Sequence, residues 1–407
     1  MMISVEDKLQ ENRWIGPGFN LLRHALALAI LLHHCRVAVF GLFGRAELVK
    51  DESQPGMAVF LPKAVPGDGY ESLKGTGLWA MDRMHLSDIV TELLRPGLFS
   101  LVGMFFVLSG FLVAGSAMRN SNIPSFVGNR VLRIVPALAV EVTLCALILG
   151  PIFTHLPLQD YLSNGQFFRY FGNILGHVTF ELPGVFVTNP WPLMVNANLW
   201  TLPWELWCYV LMLSMMVLGL FAPQGRYRRA MSAIALVIIL AMTLWNYLNP
   251  EMFNVRQDTT RFAGWYIVFL FLVGVYLRLI ARHLPLHGGL FLVAAAAYYV
   301  MTVMNVLGPL SGVFLAYCTV YIGMMRFDWF DRIMKHDLSY GIYLYGFPIT
   351  QMLVALIVPM VSGSRVVSFA LIAPLVVVLT ASFALISWIY IERPALRLRR
   401  LYQKPAL

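Results

Sequence analysis

The chain alternates between long runs of apolar residues and short polar segments. A helix that crosses a membrane needs about 20 mostly apolar residues, and ten runs have about this length. They cover residues 20–43, 97–117, 131–154, 198–221, 230–248, 262–281, 288–305, 308–325, 339–361 and 367–391. The pattern predicts an all-α, polytopic membrane protein with about ten transmembrane helices.

The composition points to the same class of protein. Of the 407 residues, 59% are hydrophobic and only 13% are charged, whereas about a quarter of the residues in an average soluble domain are charged. A single globular core cannot bury so large an apolar fraction, so lipid must solvate much of the surface. The composition excludes a soluble enzyme, a secreted disulfide scaffold and a disordered chain.

Basic residues are distributed unevenly between the polar segments. Most of the 30 Lys and Arg residues lie in the N-terminal tail, in alternate connections between the runs, and in the C-terminal tail. Because Lys and Arg accumulate on the cytoplasmic side, both termini are predicted to be cytoplasmic. The net charge of +9 is then a consequence of topology, and we expect no nucleic-acid partner.

The chain shows no internal repeat and no hydrophilic stretch long enough for an appended domain, so residues 1–407 are predicted to form one membrane domain. It would have cytoplasmic tails at 1–19 and 392–407 and extracytoplasmic loops at 44–96 and 155–197. The first tail lacks the apolar region and cleavage site of a signal peptide, so we expect it to be retained. Loops this long are more often functional than idle, although they could also simply cover the bundle.

The cysteines give no sign of a metal site. Cys35, Cys145, Cys208 and Cys318 each lie in an apolar stretch without the spacing of metal ligands. We therefore predict neither structural zinc nor a disulfide framework.

Ionisable residues inside the apolar runs are candidates for function, because their burial in lipid is costly. Arg23 and His34 are eleven residues apart, so they share one helix face with a rise of about 16 Å between them. Glu205 lies about seven residues into the run 198–221, at a depth similar to that of His34. A carboxylate at this depth could pair with the imidazole, raise its basicity and fix its tautomer. Alternatively, each group is satisfied by other polar groups and only joins helices.

Small and basic residues mark the next two runs. Ser109 and Gly110 allow a helix or a ligand to approach closely. Helix packing is the favoured interpretation, and Ser109 is also a candidate residue for binding a cofactor. No nucleophile motif surrounds Ser109. Arg130 and Arg133 share a helix face and would suit a phosphorylated ligand, but anchoring at the cytoplasmic surface is the favoured interpretation of these residues alone.

Three further features concern acidic residues. Glu141 lies near the middle of the third run, and the sequence suggests no partner for it. Asp328 and Asp337 alternate with basic residues, which predicts a solvated cytoplasmic connection. Glu392 is expected to pair with Arg393 at the membrane surface.

Taken together, these motifs resemble the acyltransferase-3 family of integral membrane O-acyltransferases over nearly the whole chain. The most specific feature is the R-x10-H spacing of Arg23 and His34. The other motifs occur in the order that the family shows: FFVLSGF at 105–111, the RxxR of 130–133, NLWTLPWE at 198–205, SYGIYLYGFP at 339–348 and IERP at 391–394.

The resemblance implies transfer of an acyl group, usually acetyl, from cytoplasmic acyl-CoA to a hydroxyl of a carbohydrate. It implies that His34 is the catalytic histidine, that Arg23 is its motif partner and that Glu205 occupies the acidic position. Arg130 and Arg133 would meet the phosphates of the coenzyme. The acceptor would be a cell-surface or exported polysaccharide, or its lipid-linked precursor, and the location a bacterial cytoplasmic (inner) membrane.

The sequence departs from the family pattern at two points. Gly346 stands where many members have a histidine, so a second histidine cannot contribute there. The chain ends soon after the last motif, and we expect a stand-alone enzyme without the esterase-like domain of some members.

Two other functions compete with this prediction. A transporter of glycans or other solutes would also carry intramembrane His, Glu and Arg, but transporters usually show internal repeats and broken helices in corresponding positions. A non-catalytic scaffold of an envelope assembly predicts that His34→Ala has no effect. The acyltransferase and the transporter hypotheses both predict that His34→Ala loses function.

Overall fold

The computed structural model describes most of the chain. The described residues are 3–12, 14–41, 46–50, 58–62, 86–120, 122–219, 264–304, 308–361 and 364–401, with isolated positions between 221 and 248. About half of the predicted span 230–248 and most of the loop 44–96 lie outside the described residues. So do Arg226, Arg228 and Arg229.

The described residues are mostly helical. The helices are α1 (Val5–Glu11), α2 (Phe19–Phe40), α3 (Leu86–Arg119), α4 (Ile123–Leu144), α5 (Leu158–Ser163), α6 (Gly165–Tyr170), α7 (Leu202–Val217), α8 (Gly264–Leu279), α9 (Gly288–Met304), α10 (Gly308–Gly323), α11 (Asp328–Ile333), α12 (Ser339–Ile357) and α13 (Arg365–Ser387). Two short strands, β1 (Ala46–Lys50) and β2 (Ala58–Pro62), pair antiparallel with Ala46 opposite Pro62. This strand pair lies within the predicted loop 44–96.

Two of the long helices continue through π-helical turns. After α4, the turn Cys145–Leu149 leads into a last α-helical turn, Gly150–Phe153, and after α13 the turn Trp388–Glu392 leads into Arg393–Arg397. Short 3-10 segments cover Phe171–Leu175, Ala197–Thr201, Val358–Met360 and Leu398–Leu401.

Within the described residues, five continuous helical stretches are long and apolar enough to cross a membrane. They are Phe19–Phe40, Leu93–Arg119, Ile123–Phe153, Ser339–Met360 and Arg365–Arg397. Each coincides with a run predicted from the sequence, so the prediction of a helical membrane protein is confirmed. Helices α8, α9 and α10 are apolar but shorter; the number ten and the cytoplasmic location of the termini stay predictions.

Backbone contact between α3 and α8 explains the small residues of the FFVLSGF motif. A Cβ atom on Gly110 would lie 2.0 Å from the carbonyl oxygen of Phe271, and one on Gly274 would lie 2.1 Å from the carbonyl oxygen of Val107. Only glycine permits so close an approach, as in other helix pairs of membrane proteins. Gly110 therefore serves packing, in agreement with the favoured interpretation of the motif.

A segment without α-helix, residues 186–201, packs along α12 and is called the inward segment below. Asn189 Nδ2 donates to the carbonyl oxygen of Gln351 at 3.0 Å, and Gln351 Nε2 donates to the carbonyl oxygen of Trp191 at 2.8 Å. Asn196 Nδ2 donates to another carbonyl oxygen of α12 at 3.0 Å. Irregular backbone beside a membrane helix must have its polar groups satisfied within the protein. Buried amide side chains do so here.

The apolar core has two main parts. One surrounds the contact between α3 and α8, and the other surrounds α12 together with residues 158–202. Helices α2, α4 and α7 lie between the two parts, and the space left between them forms a cavity.

Candidate functional site

The cavity has a volume of about 200 Å³ and is lined by residues of α2, α3, α4, α7, α8 and α12. Its apolar wall includes Val102, Phe105 and Phe271. The polar side chains of the wall are Arg23, Ser109, Arg130, Arg133, Thr201, Glu205, Tyr209, Ser339, Tyr340 and Tyr343. Five of the six site residues predicted from the sequence therefore line one cavity.

Two of the arginines share a carboxylate. Arg133 NH2 donates to Asp337 Oδ2 at 2.9 Å, and Arg23 NH1 lies 3.2 Å from the same oxygen. Arg133 NH1 also lies 3.5 Å from Glu392. Burial raises the pKa of Asp337, but the charges of Arg133 and Arg23 and the hydroxyl of Ser339 outweigh it and hold the pKa well below its usual range. The carboxylate is ionised and fixes both guanidiniums on the cavity wall.

Two sequence-based expectations for acidic residues were wrong. Asp337 is not solvated: its side chain is 19% exposed, compared with 67% for Asp328, because it turns inward toward the arginines at the start of α12. Glu392 pairs with Arg133 rather than with Arg393. The reason is that the π-helical turn after α13 keeps Glu392 inside the bundle, where it is 2% exposed.

Arg130 differs from the other two arginines of the cavity. Among the described residues it forms no ion pair with a carboxylate, and its guanidinium lies over the rings of Phe126 and Tyr209, with 5.9 and 5.6 Å to the centroids. Its Nε is buried without a hydrogen-bond partner in this part of the chain. Unlike Arg23 and Arg133, it is thus not in direct contact with a described carboxylate.

Glu205 lies in the first turn of α7 and faces the cavity. Its Oε1 accepts a hydrogen bond from the hydroxyl of Tyr209, one turn later, at 2.5 Å. The carboxylate is also within electrostatic range of Arg130 and Arg133. Glu205 therefore balances charge at the cavity wall.

His34 lies beyond the end of the cavity. Ile30, one helical turn earlier on α2, is in the cavity wall, whereas the imidazole of His34 packs edge-on against Phe347 with ring centroids 5.6 Å apart. Its polar neighbour is the side-chain amide of Asn198. The hydrogen bond between His34 and Glu205 that the sequence suggested is not among the described contacts, because the inward segment supplies Asn198 in its place.

Asn198 connects His34 to the cavity. Its Nδ2 donates to the carbonyl oxygen of Tyr343, and the hydroxyl of Tyr343 donates back to the carbonyl oxygen of Asn198 at 2.5 Å. The Tyr343 hydroxyl also lies 2.6 Å from Thr201 Oγ1. Tyr343 and Thr201 line the cavity, so Asn198 lies next to both the cavity wall and His34.

Glu141 has partners that the sequence did not reveal. Its Oε1 accepts a hydrogen bond from Asn196 Nδ2 at 2.8 Å and another from Cys145 Sγ at 3.1 Å. Asn196 lies 55 positions away in the sequence. The signal for this contact in the sequence was the presence of two asparagines, Asn196 and Asn198, within an apolar stretch, because a buried carboxylate needs hydrogen-bond donors such as amides.

Gly346 packs against the side chain of Leu31 on α2. A Cβ atom there would lie 2.5 Å from Cδ1 of Leu31. A larger side chain at this position would require Leu31 to change its conformation.

The four cysteines are buried and free. Within the described ranges, no group of three or more His, Cys, Asp or Glu side chains is arranged to hold a metal ion. The candidate site is thus built from arginines, one histidine, carboxylates and buried amides.

Comparison with known proteins shows two distant relatives. The chain is 27% identical over 353 residues to "Nodulation protein 10" of Rhizobium leguminosarum bv. viciae, covering 79% of this chain and 86% of the relative. It is 25% identical over 264 residues to "O-acetyl transferase" of Shigella phage Sf6, covering 62% of this chain and 73% of the relative. No family profile and no solved structure matches. The chain is therefore similar, at low identity, to a nodulation protein and to an O-acetyl transferase.

Proposed function

We propose that the protein is a membrane O-acyltransferase that moves an acyl group, normally acetyl, from acyl-CoA to a hydroxyl of a carbohydrate. One observation carries the proposal: Arg23, Ser109, Arg130, Arg133 and Glu205, which come from four helices, line a single cavity next to His34. The similarity to an O-acetyl transferase supports the same reaction class.

The acyl donor occupies the cavity in this proposal. About 200 Å³ is less than the roughly 300–1,000 Å³ of a site for a drug-sized ligand. The cavity therefore holds the acyl group and part of the pantetheine arm, and the nucleotide stays outside. Arg130, which has no carboxylate partner among the described residues, attracts the phosphates, while Asp337 compensates Arg23 and Arg133.

His34 is the general base of the proposed reaction. A neutral imidazole takes the proton of the acceptor hydroxyl as its oxygen attacks the thioester carbonyl. The new C–O bond forms, the C–S bond breaks, and the imidazolium returns its proton to the departing thiolate. An acyl-histidine intermediate is the other possible route, which ping-pong kinetics would reveal.

The acceptor is proposed to be a cell-surface or exported polysaccharide or its lipid-linked precursor, acylated at a bacterial inner membrane. The inward segment brings Trp191 beside Phe347, with ring centroids 5.1 Å apart, and Phe347 contacts His34. The acceptor hydroxyl reaches His34 from this side, opposite the donor.

The test is transfer of labelled acetyl from acetyl-CoA by purified protein in nanodiscs, with a panel of bacterial envelope glycans as acceptors. The wild type is expected to release coenzyme A and to label a glycan. His34→Ala should lose at least about 100-fold in rate, the usual contribution of a general base. The matched control is His33→Ala, because His33 is the neighbouring imidazole on α2 with its ring centroid 5.8 Å away, and this variant should keep its activity.

Equal losses in both histidine variants would contradict the assignment of the base. A wild type that binds coenzyme A but labels no glycan would refute the acceptor class alone. Failure to bind coenzyme A would refute the acyltransferase proposal and favour the transporter.

A further inference from the structure

Two neighbouring side chains, His34 and Asn198, each carry a buried polar atom without a hydrogen-bond partner. His34 Nδ1 and Asn198 Oδ1 are both inaccessible to solvent, and neither has a hydrogen-bond partner among the described residues. The amide of Asn198 is the polar neighbour of the imidazole. A buried acceptor left without a donor costs about 1–3 kcal/mol, so an N–H on Nδ1 directed at this oxygen satisfies both atoms.

The orientation of the Asn198 amide is fixed from its other side. Its Nδ2 donates to the carbonyl oxygen of Tyr343, which leaves Oδ1 as the atom that faces His34. Rotation of the amide by 180° would place the carbonyl oxygen of Tyr343 against Oδ1 and would lose that bond. The amide can therefore only accept from the imidazole.

The backbone of Asn198 is held in turn by Asn196 and Glu141. The backbone N–H of Asn198 donates to Asn196 Oδ1 at 3.1 Å, and Asn196 Nδ2 donates to Glu141 Oε1 at 2.8 Å. Glu141 is 1% exposed and lies on α4. A chain of hydrogen bonds thus runs from Glu141 on α4 through Asn196 to Asn198, whose side chain neighbours the imidazole on α2.

We propose that Asn198 is a positioning residue that selects the Nδ1–H tautomer of His34, and that Glu141 anchors it through Asn196. This inference rests on the proposed function, because the tautomer matters only if His34 acts as a base. With the proton on Nδ1, the lone pair lies on Nε2, and Nε2 is the nitrogen that takes the hydroxyl proton. The buried carboxylate of Glu141, which has no place in the reaction itself, then has a defined role.

Asn198→Ala is expected to lower kcat by about 10–100-fold, the usual effect of removing a group that orients a histidine, with KM for acetyl-CoA unchanged. Asn198→Asp keeps an acceptor but adds a negative charge that stabilises the imidazolium. The base then becomes neutral only at higher pH, and the acidic limb of kcat/KM moves up by about one pH unit or more. A purely structural role for Asn198 would lower activity in both variants without moving that limb, and this result would overturn the proposal.

The anchor is tested with Glu141→Gln and Glu141→Ala. Gln retains an oxygen for Asn196 Nδ2 and should keep kcat within about threefold of the wild type, whereas Ala should lose as much as Asn198→Ala. The matched control is Asn189→Ala, which removes a bond of the same segment to α12 at Gln351 but lies outside the chain to His34. It should lower thermal stability and leave the pH profile in place. A shifted pH profile in Asn189→Ala, or equal losses in both Glu141 variants, would refute the anchor.

A measurement independent of activity separates the two proposals. Nitrogen-15 spectra of histidine-labelled protein, with the His34 signal identified by its loss in His34→Ala, report which ring nitrogen carries the proton. The wild type should show Nδ1–H and Asn198→Ala a mixture of tautomers. An Nδ1–H signal in a wild type that does not bind coenzyme A would refute the proposed function and leave the tautomer assignment intact. An Nε2–H signal would refute the positioning role itself.

Discussion

Arg133 donates a hydrogen bond to Asp337 at 2.9 Å, although 204 positions separate the two residues in the sequence. The same carboxylate oxygen lies 3.2 Å from Arg23. One acidic side chain at the start of α12 therefore holds together α2 and α4, and it sets the direction of two guanidiniums on the cavity wall. The net positive charge that the cavity offers to a ligand is smaller than the number of its arginines implies.

Asp337→Asn is expected to destabilise the protein by on the order of 2 kcal/mol. The amide leaves Arg23 and Arg133 without the carboxylate, and the two positive charges then repel each other. Breaking a fully buried pair costs about 3–5 kcal/mol. The effect expected here is smaller because the three side chains are 19–30% exposed. Thermal unfolding in one detergent, with and without the substitution, measures the difference.

The matched control is Asp328→Asn. Asp328 lies 3.4 Å from Arg326, but both side chains are about two-thirds exposed, and such surface pairs contribute little. Its unfolding temperature should stay at the wild-type value. A similar loss in both variants would mean that Asp337 acts as an ordinary surface charge.

The contribution of Asp337 to stability should depend on pH. Since its pKa in the folded protein is held below the usual value, the ion pair stabilises the fold at every pH above the unfolded value of about 3.9. The stabilisation is lost as pH falls from there through the folded pKa. The difference in unfolding free energy between wild type and Asp337→Asn should be constant between about pH 5 and 8, because this range lies above the unfolded pKa of about 3.9. It should shrink below about pH 4. A difference that shrinks as pH rises from 5 to 8 would contradict the ion pair.

Arg130 and Arg133 should respond differently to removal. Arg130→Ala is expected to raise KM for acyl-CoA about tenfold or more, because charge-assisted bonds to phosphate contribute about 1.5–3 kcal/mol, with little change in stability. Arg133→Ala should instead lower stability, because Asp337 and Glu392 lose their shared partner. Coenzyme binding by calorimetry together with thermal unfolding separates the two effects. Unchanged coenzyme binding in Arg130→Ala would confine this residue to an anchoring role.

The long apolar runs predicted the five membrane-length helices because lipid imposes a strict length and composition on each of them. The spacing of Arg130 and Arg133, which places them on one helix face, agrees with their position in the wall of one cavity. These features depend on local periodicity, which a single sequence contains.

The inward segment could not be predicted in the same way. Its path is set by amide side chains such as Asn189, Asn196 and Asn198, which satisfy the backbone of α12 about 150 positions away. Pairing of this kind depends on which helices become neighbours, and that information is not local. For the same reason the sequence suggested Glu205 as the partner of His34, whereas the structure supplies Asn198.

Gly110→Ala is expected to destabilise the protein by about 2–3 kcal/mol. The added methyl group would lie 2.0 Å from the carbonyl oxygen of Phe271. Because this oxygen belongs to the backbone of α8, it cannot move aside as a side chain can. The two helices α3 and α8 must therefore separate, at the cost typical of overpacking. Gly97→Ala on the same helix is the control, because no atom lies within 4 Å of a Cβ there. It should be neutral or stabilising by up to about 1 kcal/mol from helix propensity. Thermal unfolding of both variants in the same nanodiscs measures the contrast, and a Gly110→Ala protein as stable as Gly97→Ala would show that α3 and α8 are not in backbone contact.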